Sequence, residues 1–274
     1  MIRKENRMIF NAENGRLHLK TGEMDYISFG RGNRVMILLP GVGDGLKTVK
    51  GMAIPFAVLY RKLTKDFTVY SFSRRTELHD HMTTREMAED LNEAIELLGL
   101  PKAVVVGVSQ GGMISEWLAI DHPEKVDKLV LVVTTARSNI VLEEAVSGWQ
   151  DMALSGDYKG IMVDTAERSY SPKRLKTARL EYKLLGNFGE PKSFRRFMIQ
   201  AESCVTHDAA DELCKITCPT LVIGGKKDRI ATGEASEELA GLIPGSMLHM
   251  YEGLGHGLYE EAPDFLERIM DFCK

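Results

Sequence analysis

Residues 104–113 read VVVGVSQGGM, an apolar run that stops at a small polar residue set among glycines. The run has the length and composition of a buried strand, and the glycines after it are the expected breakers. Gly107 and Gly111 lie two residues before and two after Ser109. That spacing describes a tight strand-to-helix turn in which glycines let neighbouring backbone pass close while the serine takes strained angles. The following GGMISEWLAIDHP is helical in pattern and should stop before Pro123. Such a helix points its free N–H groups and positive dipole end at whatever Ser109 meets. In an open α/β sheet, ligands bind beyond the carboxyl ends of the strands, which is where this turn lies.

Working outward, further short apolar runs alternate with helical patterns, the signature of βα units on a mostly parallel sheet. MDYISFG, RVMILLPG, FTVYSFS, KLVLVVTT, PTLVIGG and SMLHMYEG read as the other strands. Thr83 with Glu86 forms a capping box before a helix whose apolar face carries Met87, Leu91, Ile95 and Leu98. The alternation breaks between residues 138 and 211, where helical patterning continues without a strand run. Within it, Ser171 reads as an N-cap with Pro172 at the first helical position. A helical stretch between two sheet strands cannot sit inside the sheet, so 138–211 is expected as a cap inserted into a core of 1–137 and 212–274.

The chain has 274 residues, 44% hydrophobic and 27% charged, with a formal net charge of −4. That suits one large soluble domain and argues against a general nucleic-acid binder. No apolar run is long enough for a membrane span, and MIRKENRMIFNAENG lacks the apolar core of a secretory signal, so a cytoplasmic protein is expected. The cysteines (204, 214, 218 and 273) are read as buried reduced thiols. His79 and His81 in ELHDH lack carboxylates at convincing spacing, so neither a metal nor a cofactor is expected.

Gly-x-Ser-x-Gly alone occurs as plain turn punctuation. The reading changes when a base and an acid follow in order. Asp228 comes just after the apolar run LVIGG, and His256 lies between Gly255 and Gly257 after the last strand run. Serine is a poor nucleophile unless a base takes its proton, and imidazole titrates near neutrality. A carboxylate on the far ring nitrogen fixes the tautomer. Singly, Asp228 reads as well as a loop cap and His256 as a loop residue. Three such residues at three strand ends in the order Ser, Asp, His point to nucleophilic catalysis.

LLPGVGDG, GVSQGG, CPTLVIGGKKD and GLGHGLYEEAPDF together resemble the α/β-hydrolase family over residues 24–274. The resemblance implies an α/β-hydrolase fold with a helical cap between late strands. It implies Ser109 as nucleophile, His256 as general base and Asp228 as its orienting acid. The oxyanion hole would be the backbone N–H groups of Val42 and Gln110. Two stretches depart from the family: Pro40-Gly41 where it usually has His-Gly, and SFSRRTELHDH, which should pack near that loop. The expected activity is that of a serine hydrolase of a small carboxylic ester. Lactones, thioesters, amides and the carbon–carbon bond of a diketo acid are the alternative substrates, and a small-molecule receptor or binding scaffold is the alternative outside catalysis. An aspartate-based dehalogenase is disfavoured by a serine at the elbow.

The substrate is expected to carry an apolar acyl or aromatic part. The inserted stretch supplies Trp149, Met152, Tyr158, Met162, Tyr170, Tyr182, Phe188, Phe194, Phe197 and Met198, which either line a pocket or pack a helix onto the core. Between residues 166 and 198 nine basic residues face three acidic ones. They would either attract a carboxylate or form a solvated face.

Overall fold

A computed structural model describes residues 9–185 and 189–274; the N-terminal stretch through residue 8 and Phe188 lie outside the described residues. The strands are β1 (Glu13–Leu19), β2 (Gly22–Gly30), β3 (Arg34–Leu39), β4 (Phe67–Phe72), β5 (Ala103–Val108), β6 (Val126–Val132), β7 (Thr220–Gly225) and β8 (Met247–Tyr251). They form one sheet of eight in the order β1-β2-β4-β3-β5-β6-β7-β8. β2 runs antiparallel to both its neighbours and every other pairing is parallel. The mostly parallel sheet flanked by helices is the expected fold class. β1 is the strand the apolar runs do not announce. Its sequence ENGRLHL is largely exposed, with only Leu19 buried.

The helices are α1 (Ala53–Leu59), α2 (Thr84–Leu97), α3 (Gln110–Asp121), α4 (Ile140–Leu154), α5 (Tyr158–Ser169), α6 (Pro172–Leu185), α7 (Arg195–Val205), α8 (Gly233–Leu242), α9 (Leu258–Glu261) and α10 (Phe265–Phe272). The Thr83–Glu86 capping box closes at the start of α2. Alternate side chains of the central strands enter two cores. One packs Ile37, Val105 and Leu129 against α2, α3 and α8. The other packs Met36, Val106 and Val130 against α1 and α10.

Helices α4 to α7 occupy the chain between β6 and β7, and the two ends of this excursion are joined. Ser138 N–H donates to His207 O at 3.0 Å, and Ala209 N–H donates to Ala136 O at 2.8 Å. Its last helix, α7, is sunk into the core: Ile199 joins the α2/α3 core, and Phe197 and Cys204 pack with Trp149 and Met113. Tyr170 and Tyr182 instead pack on a small cluster of Ala166, Leu175 and Ala178. All four cysteines are free, but only Cys204 and Cys273 are buried. Cys218 is half-buried, and Cys214 is exposed because it sits on the short 3-10 turn Leu213–Lys215, which corrects the expectation of four buried thiols. Among the described residues no helix is long and apolar enough to cross a membrane.

Asp90 on α2 carries a stability test. It lies 3.3 Å from Arg75 Nε, and burial, opposed by that cation, raises it from the ordinary 3.8 to about 6. The folded chain therefore holds this proton more tightly than the unfolded one. Asp90 favours folding increasingly as pH falls through about 6 and stops gaining near 3.8. The melting temperature of the wild type relative to Asp90→Asn is expected to rise between pH 8 and pH 5. A difference that stays constant over that range would contradict the burial argument.

Candidate active site

Ser109 joins β5 to α3 with φ 53° and ψ −124°, a left-handed conformation costly for any residue with a side chain. The surroundings hold it there. Ser109 N–H donates to Val132 O at 2.9 Å, and Ser109 O accepts from Gly112 N–H at 2.7 Å and from Thr134 Oγ1 at 2.9 Å. The flanking glycines are sterically required. A Cβ on Gly107 would stand 2.4 Å from Gly111 O, and one on Gly111 would stand 2.2 Å from Leu39 O.

Asp228 follows β7 and His256 follows β8, and the structure brings them together. His256 Nδ1 lies 2.8 Å from Asp228 Oδ2. The other carboxylate oxygen accepts from Ile230 N–H at 2.8 Å and Ala231 N–H at 3.0 Å, which fixes the acid's orientation. With Nδ1–H donated to the carboxylate, Nε2 is left with its lone pair. Gly255 lets the histidine loop close on its neighbours, since a Cβ there would stand 2.8 Å from Lys227 O.

Ser109 and His256 line one cavity of about 320 Å³. Among the described residues no hydrogen bond joins the Ser109 hydroxyl to His256; such bonds commonly tighten only once substrate is bound. The apolar wall comes from Val49, Met52, Phe56, Val108, Trp149 and Ile230. Of the aromatic and methionine residues expected from the inserted stretch, only Trp149 reaches this cavity among those described.

Val42 opens the 3-10 turn Val42–Gly45 beside the serine. A Cβ on Gly41 would touch Ser109 Cβ at 3.2 Å and lie 3.6 Å from its Oγ. Among the described residues, neither Val42 N–H nor Gln110 N–H donates a hydrogen bond, so both are free for a ligand. Beneath them lies a polar cluster that sequence reasoning did not single out. Arg74 Nη2 donates to Pro40 O at 2.6 Å and to Gln110 Oε1 at 3.1 Å. Gln110 Nε2 donates to Gln200 O at 2.7 Å and to Ser203 Oγ at 2.9 Å. Asp44 accepts from Arg74 N–H at 3.0 Å and pairs with Arg196 of α7. Burial pulls the Arg74 guanidinium down to about 10, with Asp44 opposing and Arg196 assisting, so it stays cationic at neutral pH. The stretch SFSRRTELHDH thus packs against the loop after β3, as expected, and Arg74 braces the loop that carries proline in place of histidine.

The family model described as the alpha/beta hydrolase fold matches residues 34–263. The chain belongs to the α/β-hydrolase family. It is 25% identical to a 2-hydroxy-6-oxononadienedioate/2-hydroxy-6-oxononatrienedioate hydrolase of Pseudomonas putida, over 93% of this chain and 94% of that protein. It is 24% identical to a monoacylglycerol lipase of Xenopus laevis, over 75% and 64% of the two chains. A solved α/β-hydrolase enzyme from a Medee basin deep-sea metagenome library superposes with a TM-score of 0.83 at 20% identity, covering 94% of this chain and 97% of that one.

Of the nine basic residues between 166 and 198 in this hydrolase, the five arginines are paired. Arg168, Arg174, Arg179, Arg195 and Arg196 meet Asp164, Glu181, Glu167, Asp80 and Asp44 respectively. The first four pairs are partly or fully exposed and favour a solvated, salt-bridged face over a carboxylate trap, whereas Arg196 is drawn inward against buried Asp44. His79 and His81 meet Glu86 and Glu202. Among the described residues lining the hydrolase's cavity, Lys47 is the single lysine or arginine.

Proposed function

We propose that this hydrolase cleaves a carboxylic ester through an acyl-enzyme, with Ser109 as nucleophile, His256 as general base and Asp228 as the acid that orients it. The observation that carries this is a serine and a carboxylate-held histidine on the wall of one largely apolar cavity. His256 Nε2 takes the Ser109 proton as Oγ bonds to the ester carbonyl carbon. The N–H groups of Val42 and Gln110 hold the resulting oxyanion, each contributing about 3 kcal/mol. The buried cation of Arg74 under both donors adds favourable potential. The tetrahedral species expels the alkoxide, which leaves as the alcohol with the proton from His256. Water then repeats the sequence on the acyl-enzyme and releases the acid. Residues 138–211 act as a cap, supported by their hydrogen-bonded ends and by Trp149 on the cavity wall.

A fluorophosphonate probe tests the nucleophile directly. Wild type is expected to be labelled and Ser109→Ala not; an unlabelled wild type would overturn the assignment. Carbon–carbon cleavage of a keto acid is the second reading. It is favoured by the substrate in the name of the Pseudomonas putida relative and by Lys47 on the cavity wall, which could meet a carboxylate. Fast cleavage of a vinylogous diketo acid together with poor turnover of every p-nitrophenyl ester would establish it instead.

A further inference from the structure

The last helix of the inserted stretch, α7, reaches both residues whose N–H groups are proposed to hold the oxyanion. Arg196 makes the first contact. Its Nη1 donates to Asp44 O and its Nη2 to Asp44 Oδ2. It also donates from Nε to Arg75 O at 3.1 Å and from Nη2 to Arg74 O at 2.8 Å. Asp44 lies in the same 3-10 turn as Val42, and Arg74 and Arg75 lie in the loop after β4. One planar fork therefore ties the loops after β3 and β4 to each other and to α7.

The second contact is made about one turn further along the helix. Gln200 O and Ser203 Oγ accept from Gln110 Nε2, so the residue that carries the other N–H is held by the same helix. Gln200 Nε2 also donates to Asp44 Oδ2 at 3.4 Å, which links the two contacts. Helix and turn meet at the level of backbone: a Cβ on Gly45 would stand 2.6 Å from Phe197 Cα. Gln110 and Gln200 are fully buried, and so is the Asp44 side chain. Bonds so far out of water are not readily replaced by solvent. The neighbouring Arg195 is the contrast. It donates to Leu78 O and Asp80 with its side chain 56% exposed, and it does not touch the turn.

Resting on the ester reading, we infer that α7 sets the position of both N–H groups relative to Ser109, with Arg196 as a positioning residue for turnover. Arg196 is not among the described residues that line the cavity, so it acts through the turn and not on the substrate. The turn after β3 and the elbow after β5 are far apart in the chain, and α7 is the element that grips both. Its charge alone does not suffice for the role. A lysine ammonium is a single point, whereas the Arg196 fork spans acceptors on Asp44, Arg74 and Arg75.

The test measures kcat and KM on p-nitrophenyl acetate, and hydrogen exchange of residues 40–47, in wild type, Arg196→Met, Arg196→Lys and Arg195→Met. Arg196→Met combined with Asp44→Asn removes the buried charge that the single change strands, and it keeps the test open if the single variant does not fold. Arg196→Met and the double variant are expected to lower kcat by about 10² with KM within about threefold, the signature of a misplaced transition-state donor. Exchange of residues 40–47 should quicken about tenfold or more while that of α2 stays as it is. Arg196→Lys should recover no more than about tenfold of the lost kcat. Arg195→Met should stay within about twofold of wild type in every readout, as befits an exposed ion pair. If wild type turns over the ester, the ester reading stands. The positioning role is then overturned by a kcat within twofold of wild type in Arg196→Met or the double variant, by unchanged exchange, or by full recovery in Arg196→Lys. A wild type that turns over no ester overturns the ester reading. Exchange of residues 40–47 then decides alone whether α7 holds the turn: quickened exchange supports it and unchanged exchange overturns it.

Discussion

Ser109→Ala is expected to lower kcat on a p-nitrophenyl ester by about 10⁶, and Asp228→Asn by about 10⁴, with both proteins folded. In the proposed mechanism the alanine variant removes the atom that forms the acyl bond, so only the solvent reaction assisted by the proposed oxyanion donors remains. The asparagine variant is the more discriminating. Asp228 accepts three hydrogen bonds, from His256 Nδ1 and from the N–H groups of Ile230 and Ala231. An amide oxygen can satisfy the two backbone donors, but its NH₂ then faces His256 and donates to Nδ1. The ring is forced into the tautomer with the proton on Nε2, which cannot accept from serine. Stability should change little, because the backbone contacts survive. Steady-state kinetics with a melting curve on each variant decides the matter. A residual activity within tenfold of wild type in either would show that Ser109 and His256 share a wall without sharing a proton.

Much of this arrangement can be read from residue order because each part obeys a local rule. Gly107 and Gly111 around Ser109, the apolar run before Asp228 and the glycines around His256 are short-range patterns with one physical meaning each. Seven of the eight strands follow from buried apolar runs, and the capping box of α2 follows from two residues three apart. What escapes is set by distant partners. β1 has an exposed edge-strand sequence, and nothing in ENGRLHL says that β2 will pair with it. Arg196 reads in the chain as one of a basic surplus, and Arg74 only as part of a stretch that packs near the loop after β3. They are taken out of water only because α7 folds down over Asp44.

Gly111→Ala is expected to cost this hydrolase about 3 kcal/mol or more of stability. The added carbon would stand 2.2 Å from Leu39 O and 2.7 Å from both Leu39 C and Pro40 O. All three are backbone atoms, so no rotamer change relieves the overlap. Either α3 withdraws from the end of β3, or the loop after β3 shifts away from α3. Pro40 O also accepts the Arg74 hydrogen bond, and that loop carries Val42 N–H, so a shift of even 1 Å moves the proposed oxyanion donor away from Ser109. Activity per folded molecule should therefore fall by about 10²–10³, the worth of one such donor. Gly148→Ala provides the contrast: it lies within α4, a Cβ there meets nothing within 4 Å, and the exchange should stabilise by up to about 1 kcal/mol. Denaturant melts and kcat on the two variants separate a general intolerance of substitution from the specific contact between elbow and loop. Wild-type turnover by a folded Gly111→Ala protein would mean that the Ser109 turn does not set the position of the loop after β3.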